Sequence, residues 1–175
     1  MTGAGAKFRA RTTSEPLDPE ALRRSVRTDA DGAVVLFVGT VRDHSDGRRV
    51  TGLHYECYPE MADAELGKIA REAVSRWEVG RVVVEHRVGD LQIGEASVAV
   101  AAAAPHRAPC FEACRYVMEA IKERLPVWKR EAYADGAETW VDGSRRAARF
   151  EGEPPATPPT GRGTDGRADE AEGTR

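Results

Sequence analysis

Two stretches of the sequence carry apolar residues at the spacing of an amphipathic helix, and short apolar runs typical of β-strands flank them. The helical pattern covers residues 66–77 and returns at 110–125, where Pro109 lies in the first turn and Pro126 ends it. Strands are predicted at 33–41, 51–58, 81–88, 96–104 and 137–143. The order β-β-α-β-β-α-β predicts an α+β fold, with a mixed or antiparallel sheet and two main helices on one face.

The two ends of the chain differ from this body. The polar, Arg-rich segment 1–30 is predicted to be a partly ordered extension, with a short helix or edge segment at residues 16–26. The tail 151–175 has almost no large apolar residue, so it cannot offset the entropy of ordering and is predicted to be disordered. One domain is therefore expected at residues 31–150.

Composition excludes several functional classes. The net charge of -3 provides no basic field, so neither nucleic acid nor an anionic membrane is expected as a partner. No apolar run reaches the roughly 18 residues of a membrane span, and the N-terminus lacks the apolar core of a signal peptide. The three cysteines lack paired metal-ligand spacing, which indicates free thiols, no bound metal and a reducing, cytoplasmic location.

Lysine is rare in this chain. It has 22 Arg but only 4 Lys, and Lys122 and Lys129 lie seven residues apart. A lysine amine can exchange its proton at working pH whereas a guanidinium cannot, so the pair is a candidate for acid–base chemistry. Lys122 lies at the edge of the second helical stripe, where it either reaches a pocket rim or is an ordinary exposed lysine. Lys129 follows the break at Pro126, in a segment that Val127 and Trp128 are expected to hold against the body.

Other charged residues occur at the ends of predicted elements. His106 and Arg107 precede the second helix, whose unpaired N–H groups and partial positive charge favour an anion. Arg42 follows the first strand, where Gly39 permits close approach of the backbone. Each also fits a solvated turn, and both interpretations remain open at this point. Glu131 can pair with a neighbouring cation, or form a surface ion pair of little energetic value.

Five segments between residues 31 and 143 keep the order and spacing of one known family. These segments are GAVVLFVGTVRDHS, LHYECYPEMA, HRVGDLQIGE, APHRAPCFEACRYVMEAIKERLPVWKRE and WVDG. Together they resemble the large, catalytic subunit of molybdopterin synthase. The combination around the second helix is highly specific, whereas both ends of the chain lie outside the resemblance.

The resemblance implies a fold, an assembly and a reaction. The fold is of the α/β-hammerhead type, and the subunit forms a homodimer that binds two small ubiquitin-like sulfur carriers, giving a heterotetramer. The Gly-Gly tail of each carrier ends in a thiocarboxylate and enters the active site. Sulfur moves from two such tails onto cyclic pyranopterin monophosphate, which yields molybdopterin without a metal or organic cofactor.

The resemblance also assigns residues. Lys122 and Lys129 match the two essential lysines, with Lys122 as acid or base and contact for the carrier's terminal carbonyl, and Lys129 as a source of positive charge that can also transfer a proton. Substrate binding is assigned to Thr40, Val41, Arg42, His106, Arg107, Lys122, Lys129, Arg130 and Glu131, and pocket lining to Phe37 and Met118. The substrate phosphate and the thiocarboxylate are anions, so the cations are expected to share one pocket.

One position departs from the family pattern. The family has an Arg soon after the WV motif that reaches into the partner subunit's site, whereas this chain has Ser144 there, followed by Arg145. Arg145 is the expected substitute. Two other classes stay open: a non-catalytic scaffold that only binds the carrier, and a domain that binds a small anion for different chemistry.

Overall fold

The computed structural model describes residues 7–142. In chain order the elements are β1 (Phe8–Thr13), α1 (Pro19–Val26), β2 (Ala33–Thr40), β3 (His44–Ser45), β4 (Arg48–Cys57), α2 (Pro59–Arg76), β5 (Arg81–Arg87), β6 (Gly89–Leu91), β7 (Ala96–Ala104), α3 (Arg107–Arg124), β8 (Val127–Tyr133) and β9 (Glu138–Asp142). Ser144, Arg145 and the predicted tail 151–175 lie outside the described residues. Within residues 7–142, no helix combines the length and apolar character needed to cross a bilayer.

The first sheet is mixed and has the strand order β1-β5-β7-β2. β1 runs parallel to β5, whereas β5, β7 and β2 are antiparallel neighbours. Helices α2 and α3 pack on one face, where Leu66, Ile69 and Val117 are fully buried. The short helix α1 covers the other face with Leu22 and Val26. Because both faces are buried, β7 has a nearly continuous apolar run and β5 has three consecutive valines at 82–84, rather than an alternating pattern.

The second sheet is antiparallel, with the order β3-β4-β8-β9 and β6 also paired to β4. Asp46 and Gly47 form the tight turn between β3 and β4, with φ of 47° and 77°. An Asp-Gly pair with two positive φ values suits a two-residue hairpin turn. β8 lies between β4 and β9, so Glu131 has Leu53 on one side and Thr139 on the other.

The expected α+β class is confirmed, and both main helices lie on one face of the first sheet. The segment after Pro126 is a correction: residues 127–133 form the strand β8, not merely a pinned segment after the helix. Pairing with β4 and β9 stabilises this strand, and such non-local pairing has no clear mark in the sequence.

The described part of the N-terminal segment belongs to the fold. β1 pairs with β5, and α1 begins at Pro19 with the Asp18 carboxylate accepting a hydrogen bond from the Ala21 N–H (2.9 Å). The helix then buries Leu22 and Val26 under the first sheet. The domain boundary at residue 31 stays a prediction.

Candidate active site

Helix α3 runs along the edge strand β2 in the same direction. The Cys110 thiol donates to the carbonyl of Ala33 (3.6 Å), and one helical turn later the Cys114 thiol donates to the carbonyl of Val35 (3.9 Å). Four residues of helix and two of strand each advance about 6 to 7 Å, so the two elements stay level with each other. The start of α3 therefore lies beside the start of β2, and its end lies beside the end of β2.

His106 and Arg107 lie at the start of α3, and both are exposed. His106 is the residue before the helix, with extended backbone, and within the described residues no side chain caps this terminus. The first turn holds no acidic residue. Pro105 is packed closely against Gly32, because a Cβ on Gly32 would lie 2.5 Å from the Pro105 carbonyl oxygen. This end of the helix can therefore accept an anion. The close contact between Gly32 and Pro105 fixes the position of the helix end.

Arg42 lies at the opposite end, just beyond β2. Val41 is buried there, and its N–H donates to the carbonyl of Glu95 (3.0 Å) while its carbonyl accepts from the N–H of Gly94 (2.7 Å). The Glu95 carboxylate is paired with Arg87 (2.9 Å), which holds this loop in place. Thr40 and Arg42, on either side of Val41, are exposed. The clamped backbone thus presents Arg42 at the end of the strand.

Lys122 lies in the last turn of α3, and Lys129 follows in β8. The two elements are joined by Leu125 and Pro126, with the Val127 N–H donating to the Leu125 carbonyl (2.8 Å). Lys122 is exposed, and Lys129 is partly buried. Both lysines therefore lie at the end of the molecule where α3 finishes.

Phe37 and Met118 lie along the path between the two ends. Phe37 is 41% exposed although it lies on the helix-facing side of β2, and its ring leans over Gly39, within 3.6 Å of where a Cβ would lie. Met118 is partly buried and packs against the main core. The register between α3 and β2 places Met118 level with Phe37, one helical turn before Lys122.

Lys129, Glu131 and Tyr133 project from one face of β8, because side chains alternate along a strand. The Lys129 amine donates to Glu131 Oε1 (2.7 Å), and the Tyr133 hydroxyl donates to Glu131 Oε2 (2.7 Å). Glu131 is only 3% exposed. Burial raises the pKa of Glu131, but contacts with Lys129, Tyr133 and Ser45 lower it by more, so the pKa lies below its ordinary value. Glu131 is therefore a buried carboxylate, not the surface partner that the sequence also allowed.

Arg130 projects from the opposite face of β8. Its guanidinium is paired with Glu138 (2.6 Å) and lies 5.7 Å from the centre of the Trp140 ring. Within one chain, Arg130 is thus not brought together with Lys129 and Glu131.

The predicted cations form two groups rather than one. His106 precedes Lys122 by sixteen residues of continuous helix, which is about 24 Å along the axis. His106 and Arg107 form the first group, and Arg42, Lys122 and Lys129 lie toward the other end. The expectation of a single pocket is therefore not met within one chain, because a straight helix separates its members.

Residues that sequence reasoning missed are Tyr133, Ser45 and Tyr55. Tyr55 is directly across from Lys129 in the β4–β8 pairing, and burial raises its pKa. The two-residue step from Glu131 to Tyr133 was the available indication, but it has meaning only once residues 127–133 are recognised as a strand. Within residues 7–142, no group of three or more His, Cys, Asp or Glu side chains is arranged to hold a metal ion.

Comparison with known proteins gives the family. Residues 12–124 match the family model described as MoaE protein. The molybdopterin synthase catalytic subunit 1 of Mycobacterium tuberculosis is 44% identical over 141 residues, which covers 81% of this chain and 95% of the relative.

This chain belongs to the MoaE family.

Two solved structures have a similar fold. Molybdopterin synthase from Staphylococcus aureus is 35% identical, with a TM-score of 0.71 over 75% of this chain and 95% of that one. A complex of subunits 1 and 2 of the molybdopterin-converting factor from Helicobacter pylori contains a chain that is 22% identical, with a TM-score of 0.59 over 81% and 92% of the two chains. At that identity the likeness concerns the fold alone. Arg145, which the resemblance suggested as the residue that reaches a partner subunit, lies outside the described residues.

Proposed function

We propose that this chain is the catalytic subunit of a molybdopterin synthase, a sulfurtransferase of molybdenum cofactor biosynthesis. Membership of the MoaE family and the description of the Mycobacterium tuberculosis relative support this function. The substrate is cyclic pyranopterin monophosphate, and the sulfur comes from the C-terminal thiocarboxylate of a small ubiquitin-like carrier. The chain of similar fold from Helicobacter pylori was solved as part of a complex of subunits 1 and 2 of the molybdopterin-converting factor, which is an assembly of the proposed kind.

The observation that carries the proposal is the position of the two lysines, at one end of α3 and across a two-residue link. Lys122 is exposed, so its amine is free to meet the carrier's terminal carbonyl and to move a proton there. Lys129 is held against Glu131, so its ammonium supplies an oriented positive charge to an anionic substrate. Thr40, Val41 and Arg42 line the same end.

His106 and Arg107 require a second subunit to join this site. They lie about 24 Å from Lys122 along α3, which is too far for any side chain to bridge. We infer that in the homodimer the start of α3 from one subunit meets the Lys122 end of the other. A dimer with two-fold symmetry would then hold two equivalent sites, each with residues from both chains.

Reconstitution with defined components tests the function. The protein is mixed with thiocarboxylated carrier and cyclic pyranopterin monophosphate, and the dithiolene product is measured. Lys122→Ala and Lys129→Ala should nearly abolish product while leaving the fold intact. Lys122→Arg keeps the charge but cannot release a proton, so it should fail almost as badly as Lys122→Ala. Substantial activity in Lys122→Arg, with normal carrier binding, would contradict the acid–base role and leave an electrostatic one.

The two-subunit site has a separate test in a mixed dimer. One chain carries Lys122→Ala and the other carries His106→Ala with Arg107→Ala, with a different affinity tag on each so that the mixed dimer is purified. If the site is shared, one of its two sites is intact and about half of the activity returns, although both parent homodimers are inactive. If each site lies within one chain, both sites are damaged and the mixed dimer stays inactive.

Two alternatives make different predictions in the same assays. A scaffold would bind the carrier tightly without sulfur transfer, and an anion-binding domain would not bind the carrier.

We also propose a cytoplasmic location, which suits the free thiols of Cys57, Cys110 and Cys114. Burial raises the pKa of the Cys114 thiol to about 12, so this thiol is protonated and unreactive.

A further inference from the structure

Tyr133 is buried at the end of the row formed by Lys129, Glu131 and Tyr133 on β8. Its hydroxyl donates to one oxygen of Glu131, and the Lys129 amine donates to the other, each at 2.7 Å. Each carboxylate oxygen therefore has its own donor, and Ser45 makes a further contact with the same carboxylate. Loss of the Tyr133 hydroxyl removes the donor to one oxygen, which loosens the carboxylate and the amine that it holds.

The position of Tyr133 is itself fixed by the β3–β4 hairpin. The Arg48 guanidinium lies 3.6 Å from the centre of the Tyr133 ring, and Asp135 holds that guanidinium with contacts of 2.9 and 3.2 Å. The tight turn at Asp46 and Gly47 brings Arg48 to this place. Ring and hydroxyl are thus held from two directions, which makes Tyr133 a rigid donor.

The protonation states suit a persistent contact. The hydrogen bond to Glu131 raises the pKa of Tyr133, so its hydroxyl keeps the proton that it donates. The pKa of Glu131 is lowered, so the carboxylate stays charged near neutral pH. The titratable or charged groups around these two side chains are Lys129 on β8, Tyr55 and Arg48 on β4, and Asp46 in the hairpin turn.

We propose that Tyr133 is a positioning residue for sulfur transfer, which orients the Lys129 ammonium through the Glu131 carboxylate without touching substrate. This inference rests on the proposed role of Lys129. Its consequence is that loss of one hydroxyl, in a side chain separated from the amine by a carboxylate, changes the rate rather than substrate binding.

The test compares Tyr133→Phe with a matched control, Tyr116→Phe. Tyr116 also donates to a carboxylate, that of Glu72, but it lies in the contact between α2 and α3. Tyr133→Phe keeps the ring under Arg48, so the fold should persist, which thermal melting checks. We expect kcat to fall about tenfold with the KM for the pterin unchanged, because the charge is misplaced rather than lost. The acid limb of the kcat profile should move to higher pH, because Glu131 loses a donor that lowers its pKa. Tyr116→Phe should leave kcat and the pH profile unchanged.

A second measurement does not depend on activity. The chain has only 4 Lys, so the nitrogen NMR signals of the ammonium groups are few, and Lys129→Arg assigns the one from Lys129. In Tyr133→Phe the Lys129 signal should shift and its protons exchange faster with water, while the other three signals stay as they are. An unchanged Lys129 signal together with unchanged kcat would overturn the inference. Failure of the proposed function would appear differently, as absence of product from the unaltered protein while the Lys129 signal still responds to Tyr133→Phe.

Discussion

His86 makes the stability of the fold depend on pH. It is 4% exposed in β5, its Nδ1–H donates to the Arg87 carbonyl (2.9 Å), and its ring meets Tyr55 edge-on with centroids 5.0 Å apart. Burial lowers the pKa of His86 from 6.5 to about 4, and the hydrogen bond to Arg87 offsets only part of this. The folded chain therefore excludes a proton that the unfolded chain accepts between these two pH values.

The sign and size of the effect follow from that difference. As the pH falls through 6.5, His86 of the unfolded state gains a proton, which stabilises the unfolded state and lowers the free energy of unfolding. This decrease ends near pH 4, where His86 of the folded state also gains a proton. Between about pH 7.5 and pH 5, His86 alone should reduce the free energy of unfolding by about 2 kcal/mol. The full difference of pKa corresponds to about 3 kcal/mol.

Replacing the imidazole isolates this contribution. His86→Phe keeps a ring against Tyr55 but cannot titrate. Urea unfolding is measured at several pH values by tryptophan fluorescence, at one fixed protein concentration because the protein is expected to dimerise. The variant can differ from the original protein in stability at neutral pH. Between about pH 7.5 and pH 5, however, its free energy of unfolding should decrease by about 2 kcal/mol less than that of the original protein. An equal loss in both proteins would refute the reasoning.

Two further predictions concern α2 and the start of α3. Hydrogen bonds from Arg124 and Tyr116 lower the pKa of Glu72 from 4.5 to about 2. The contribution of Glu72 to stability is therefore present above pH 4.5 and is lost as the pH falls toward 2. Glu72→Gln should be less stable than the original protein at neutral pH, and its stability should fall less between pH 4.5 and 2, as measured by circular dichroism. Gly32→Ala should displace the backbone before α3 and lower activity as well as melting temperature, because its Cβ would lie 2.5 Å from the Pro105 carbonyl oxygen. Gly67→Ala in α2 is the control: within the described residues nothing lies within 4 Å of its Cβ, so it should raise stability by about 0.5 kcal/mol.

The elements that could be predicted from the sequence are those with a local pattern. Helices α2 and α3 repeat apolar residues at helical spacing, and β2, β5 and β7 are apolar runs. Strand β8 could not be recognised in this way. It follows a proline, has three consecutive charged residues, and owes its stability to pairing with β4 and β9. β1 was missed for the same reason, since it is an edge strand paired in parallel with a strand far along the chain.

Because β8 was not predicted as a strand, the contacts of its charged side chains could not be predicted either. The run Lys129, Arg130, Glu131 looks like one charged surface segment, yet alternation along a strand directs Arg130 away from its two neighbours. The same alternation brings Tyr133 to the side of Glu131. The side-chain contacts of these residues therefore follow from a strand assignment and could not be obtained from charge spacing alone.

The separation of the two cation groups, by contrast, was already contained in the sequence. A stretch predicted to be continuous helix from Pro109 to Leu125 has a known rise per residue, so residues before it and near its end cannot share a small pocket within one chain. The family resemblance gathers His106, Arg107 and Lys122 into one list, but it does not say which chain each comes from. Helix length bears on that question, because α3 separates its start from Lys122 by about 24 Å. If all three residues act on one substrate, two copies of α3 must contribute, and the dimer is then part of the active site rather than only its support.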